Sequence, residues 1–89
     1  MRRIRQQQPF LNDFKRLKRR GKDAADLFAV VELLVEDGEL PAAYRPHQLS
    51  GEWKGLWECH IEADWLLIYE VSANEVLLIR TGTHRDLFG

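Results

Sequence analysis

Between the first and second halves of this chain the spacing of apolar residues changes from three-to-four to two, which dictates a helical N-terminal part followed by a sheet. Phe10, Phe14 and Leu17 recur at i, i+4 and i+7 behind Pro9, with Lys15, Arg16, Lys18, Arg19 and Arg20 on the other faces and Gly21 as a stop. A second helix begins after Asp23, a capping side chain, carries Leu27, Val30, Val31 and Leu34, and stops at Gly38. A connection this short makes the two a helical hairpin.

From Leu40 to Gly51 two prolines, a glycine and His47 read as a long ordered loop. Period two then begins at Glu52. Trp53, Gly55, Trp57, Cys59 and Ile61 share one face, assigned to the core, and Lys54, Leu56, Glu58 and His60 share the other, so His60 is expected toward solvent or a ligand. The run Trp65 to Val71 is apolar on both faces apart from Glu70, as in a central strand covered by helices on one side. A third strand is expected from Val76 to Thr81, and Arg2 to Gln6 offers a short edge strand. The expected fold is α+β, a helical hairpin packed on a small antiparallel sheet, in one domain spanning residues 1–89.

Charge is divided unevenly along the chain. Residues 1–22 hold nine of the thirteen Lys and Arg and one acid, Asp13, while the remainder is acidic. A basic segment of this kind serves RNA, an acidic membrane or an acidic protein partner, and equally a solvated helix face. No apolar run approaches the roughly 20 residues of a spanning helix and the N-terminus lacks a secretory core, so no membrane association and a cytoplasmic location are expected. Cys59 is the single cysteine, which excludes an internal disulfide and a thiolate metal cluster; it reads as a nucleophile or as a small buried residue.

All three histidines lie in the second half, near turn signals. His60 and Asp64 flank one hairpin turn, and His84 follows a strand parallel to the one carrying His60, so the three converge at one sheet edge. His47 joins them only if its loop folds over that face. Two imidazoles beside a phosphodiester suit a base that removes the 2′-hydroxyl proton and an acid that protonates the leaving 5′-oxygen. Asp64 is placed to orient an imidazole or to act as the base. Lys54, Arg80 and Arg85 are the cations positioned to stabilise phosphoryl charge.

Trp65 and Phe88 offer faces on which RNA bases stack, and each is equally a packing residue. The sequence has no HExxH, no histidine pair at helical spacing and no cysteine ligand set, so neither a metal nor another cofactor is expected.

The runs HQLSGEWKG, CHIEADWLLIY and RTGTHRDLF resemble the YafQ group of the RelE/ParE superfamily, toxins of bacterial toxin–antitoxin pairs. The resemblance implies a RelE-like fold and a ribosome-dependent mRNA interferase that cuts mRNA without a metal and is blocked, in a hetero-oligomer, by a cognate antitoxin of the DinJ type. It makes His84 of the TGTH motif the general acid, matches His47, His60 and Asp64 to the other catalytic positions, and matches Phe88 to the terminal aromatic. Two positions depart from the pattern: Trp57 stands where relatives often carry a basic residue, which removes a phosphate contact, and Ala63 where a proline commonly precedes the aspartate. A ParE-like gyrase inhibitor on the same fold is the alternative, and relatives of that kind generally lack this histidine set.

Overall fold

In the computed structural model, which describes residues 1–89, the N-terminal helices form where the spacing predicts. Strand β1 (Arg3–Gln6) leads into helix α1 (Gln8–Arg19), which has Pro9 in its first turn, where the missing N–H costs nothing, and Arg16, Lys18 and Arg19 in its last, where they face the negative end of the helix dipole. Helix α2 (Ala24–Asp37) starts at Asp23, whose carboxylate accepts the Ala25 N–H at 2.9 Å, and ends at Gly38 in the left-handed conformation. No helix is long and apolar enough to cross a membrane.

The remaining strands are β2 (His47–Gln48), β3 (Trp57–Glu62), β4 (Trp65–Val71) and β5 (Glu75–Gly82), and a short helix α3 (His84–Phe88) ends the chain. The strands form one sheet in the order β1-β5-β4-β3-β2. β3, β4 and β5 pair antiparallel, as expected; β2, inside the stretch read as a loop, adds an antiparallel edge beside β3, and the N-terminal edge strand pairs parallel with β5, Ile4 opposite Val76, so the sheet is mixed. The α1 helix explains this: β1 runs up the sheet beside β5, and the chain then crosses into α1 over the rest of that strand.

One face of the sheet carries the main core. Phe10 and Leu17 of α1 and Leu27, Val30, Val31 and Leu34 of α2 pack on Cys59, Trp65, Leu67, Tyr69, Val76 and Leu78. Each fully buried aliphatic side chain there contributes about 1.5–3 kcal/mol. Leu66 and Ile68, the alternate residues of β4, face the other way and form a smaller cluster with Leu87 of α3, flanked by Leu49, Trp53, Leu56 and Ile79. The doubly apolar pattern of β4 thus serves two separate cores.

Trp53 is a correction. Assigned with Trp57 to the main core, it packs instead in the smaller cluster on the opposite face. The chain from Gly51 to Trp53 is a 3-10 turn, with Gly51 and Gly55 at φ +67° and +91°, so strand alternation starts only at Trp57. Trp57 does face the main core, with Tyr69 and Val71 in the wall of a cleft beside Leu40 and Pro46.

Candidate active site

The face opposite α1 and α2 carries the histidines, and strand register puts them there. Glu58 and His60 alternate with core residues on β3, and the two-residue strand β2 sets His47 directly across from Glu58. The loop therefore does fold over this face. It turns at Arg45, whose φ of +51° is uncommon for a residue with a side chain and aims the Arg45 carbonyl at His47 Nδ1, 3.1 Å away.

Five rings then run in a line. Centroids of His47 and His60 are 6.4 Å apart, of His60 and His84 5.9 Å, of His84 and Phe88 6.4 Å, and of Phe88 and Trp53 5.8 Å. Ring roles follow from what each nitrogen faces. A carbonyl only accepts, so His47 Nδ1 and His60 Nδ1, the latter 3.2 Å from the Ala63 oxygen, both donate. His84 Nδ1 lies 2.9 Å from Asp64 Oδ1, which leaves its Nε2 without a protein partner on an exposed ring.

The terminal RTGTHRDLF motif explains how His84 is held. Thr81 accepts from Trp65 Nε1 at 2.9 Å and donates to the Leu66 carbonyl at 2.7 Å, which locks the end of β5 to β4. Gly82 has φ +156°, and a Cβ there would lie 2.9 Å from the Asp86 Cβ. Thr83 and Asp86 form a reciprocal capping box, Thr83 Oγ1 accepting from the Asp86 N–H and Asp86 Oδ2 from the Thr83 N–H, each at 3.0 Å. Asp86 also takes two bonds from Arg20 at the end of α1, and this guanidinium, followed by the Thr83 bonds, holds its carboxyl far below the usual carboxylate range. Asp64 accepts the His84 backbone N–H as well as the ring, and these bonds hold its carboxyl below the usual range too.

Other predicted residues separate into those left exposed and those that are buried or paired. Lys54 is exposed on the turn after Trp53, Arg85 is exposed on α3, and Phe88 is 45% exposed between His84 and Trp53 in the ring line. Trp65 is not available for stacking. It lies on the helix side with no exposed surface, because odd-numbered residues of β4 point into the main core, and its one polar atom is spent on Thr81. Arg80 is not a free cation: its Nε and one terminal nitrogen bind Asp13 at 2.6 and 3.1 Å. Asp13 is buried on α1 and also accepts from Arg16 and the Thr81 N–H, so four donors surround it. Cys59 is buried in the main core, and burial pushes its thiol up to about 12, which leaves it a packing residue and not a nucleophile.

Sequence reasoning missed Glu58 as a member of the site. Its Oε1 lies 3.3 Å from His47 Nε2 and 3.9 Å from His60 Nε2, on a side chain only 5% exposed. Its place in an alternating strand put it on the correct face, but nothing local showed that β2 would bury it.

The sequence profile of a bacterial toxin family, the YafQ toxin of type II toxin–antitoxin systems, matches residues 2–89. The chain belongs to the YafQ family. It is 41% identical over 81 residues to the mRNA interferase toxin YafQ of Escherichia coli K12, an alignment that covers 90% of this chain and 88% of that one. The crystal structure of YafQ from E. coli BL21(DE3) superposes with a TM-score of 0.92 at 38% identity, and each chain is covered completely. YafQ in the E. coli DinJ–YafQ complex superposes at 0.90 with 39% identity, again over both whole chains. As a YafQ toxin the chain has the α+β fold its periodicity predicts, and the runs that carry the resemblance include those that build the ring line and the α3 lock.

Proposed function

We propose that this YafQ toxin is an endoribonuclease that cuts mRNA on the ribosome by acid–base catalysis, in the cytoplasm, under the control of a DinJ-like antitoxin. The observation that carries the reading is the free Nε2 of His84 at the centre of the ring line. With Nδ1 committed to Asp64, that nitrogen is the one placed to hand a proton to a substrate atom. His84 serves as general acid and protonates the leaving 5′-oxygen. One of His47, His60 and Asp64 takes the 2′-hydroxyl proton; O2′ then attacks phosphorus, and the products are a 2′,3′-cyclic phosphate and a 5′-hydroxyl.

Asp64 is better suited to orientation than to proton removal, because Oδ1 already accepts two bonds and its carboxyl is held in the charged form. Lys54 and Arg85, both exposed, supply positive charge for the phosphoryl oxygens, whereas Arg80 is spent on Asp13. Phe88 offers a face for a base beside His84. The name of the E. coli relative, an mRNA interferase, supports the substrate class, and its complex with DinJ supports the partner.

The test is cleavage of an mRNA on ribosomes with an empty A site, mapped by primer extension, with the same RNA free in solution as control. Wild type is expected to cut only the ribosome-bound RNA and to leave a cyclic phosphate. Equal cleavage by His84→Ala removes the acid from the scheme, and equal cleavage of free RNA removes the ribosome.

A further inference from the structure

Glu58 is the buried charge that the scheme above does not use. Its side chain is 5% exposed, and no Lys or Arg lies within ion-pair distance of it. An unpaired buried carboxylate is costly, so its retention has to be explained by what it touches. Its charged or titratable neighbours across the sheet face are His47 on β2 and His60 on β3, with the Cys59 thiol beside it in the strand.

The two imidazoles meet it differently. His47 Nε2 lies 3.3 Å from the carboxylate, and because its Nδ1 already donates to the Arg45 carbonyl, the two form an ion pair only when the ring carries a second proton, on Nε2. His60 Nδ1 donates to the Ala63 carbonyl, which sets the tautomer with the lone pair on Nε2. That nitrogen is 3.9 Å from Glu58, beyond a hydrogen bond yet close to its charge, and the ring lies next to His84. His60 is therefore oriented by a carbonyl, has a nitrogen free to take a proton, and has a fixed negative charge beside that nitrogen.

We propose that Glu58 is a positioning residue for the general base: it steadies the imidazolium formed when His60 Nε2 takes the 2′-hydroxyl proton, and His47, when protonated on both nitrogens, pairs with the carboxylate from the other side. This rests on the cleavage reading above and deepens it by choosing among the three base candidates. The proton passes from O2′ to His60, the O2′–P bond forms, the P–O5′ bond breaks, and His84 supplies the proton to O5′. A carboxylate in this relation to a catalytic imidazole acts only when charge develops on the ring, so its loss slows the chemical step and leaves substrate binding alone.

The experiment is single-turnover cleavage of ribosome-bound mRNA by Glu58→Gln, Glu58→Asp, His60→Ala and the Glu58→Gln/His60→Ala double variant, with wild type and His84→Ala alongside. Glu58→Gln is expected to cut the rate at saturation about 100-fold with the half-saturating toxin concentration unchanged, and Glu58→Asp, which keeps the charge, to recover part of it. In the His60→Ala background Glu58→Gln is expected to have no further effect, since the ring it serves is gone. An additive loss in the double variant, or wild-type cleavage by Glu58→Gln while His84→Ala is inactive, overturns the role of Glu58 and leaves the cleavage reading standing. If Glu58→Gln does not fold, a Glu58→Asp variant no faster than His60→Ala overturns the role as well. No cleavage by wild type overturns both.

Discussion

Asp64 holds His84 twice through one oxygen, Oδ1 accepting from the backbone N–H and from the ring Nδ1, each at 2.9 Å. The first bond fixes the start of α3 and the second fixes the ring, so a single side chain on the β3–β4 turn decides where the acid sits. Asp64→Asn keeps an acceptor but removes the charge that stabilises the protonated ring, and its cleavage rate is expected to fall about 10- to 100-fold. These bonds lower the Asp64 carboxyl, so they act above about pH 4, the ordinary carboxylate value, and are lost as the pH falls through the lowered one. Rate measurements from pH 5 to 8 are therefore expected to show no step from Asp64. A step there that Asp64→Asn abolishes would contradict the assignment.

Asp86 ties the start of α3 to the end of α1, accepting from the cap residue Thr83 and from Arg20 just past α1. Its carboxyl is depressed, so the link stabilises the fold above about pH 3.9 and is lost as the pH drops from there toward the lowered value. Thermal melts of wild type are expected to lose stability over that acid window, and Asp86→Asn to show a flatter profile across it. Thr83→Ala, which removes only the cap, is expected to cost about 1 kcal/mol at neutral pH. Identical acid profiles for wild type and Asp86→Asn would show that the link carries no stability.

Gly82 stands between these two anchors. At its φ of +156° a side chain would begin 2.9 Å from the Asp86 Cβ, so there is no room for one against the capping box. Gly82→Ala is expected to destabilise the fold by about 1–3 kcal/mol and to lower cleavage further by displacing His84. Gly21→Ala, where φ is also positive but open space surrounds the residue, separates backbone strain from steric clash: it is expected to cost less, as measured by urea unfolding.

These residues also show how far the sequence can be read. Phe10 to Leu34 announce their helices because a buried face repeats over several turns, and Trp65 to Val71 announce a central strand. Helix α3 is five residues long, too short for a repeat, so its signal is Thr83-x-x-Asp86, a capping box that a tail read for its histidine conceals. Trp53 is misplaced by an alternation counted from Glu52, which ignores the turn made by Gly51 and Gly55. The convergence of His60, Asp64 and His84 follows from strand direction. The joining of His47 to Glu58 does not, since it depends on a two-residue strand whose partner lies about ten residues further on.

Trp65 and Phe88 separate packing from recognition within the same motif-bearing half. Trp65 is fully buried with Nε1 bonded to Thr81, so Trp65→Phe keeps most of the apolar volume but leaves the Thr81 hydroxyl without its donor. The expected cost is about 1–3 kcal/mol of stability, with the cleavage rate of the remaining folded protein close to wild type. Phe88 is 45% exposed between Trp53 and His84, where truncation exposes little core. Phe88→Ala is expected to leave the melting temperature nearly unchanged and to weaken substrate capture by about 1–3 kcal/mol, the worth of one stacked base. The two variants thus fail in opposite assays, unfolding for Trp65 and half-saturation for Phe88. A Trp65→Phe protein that melts like wild type yet binds the programmed ribosome poorly would return Trp65 to the RNA surface.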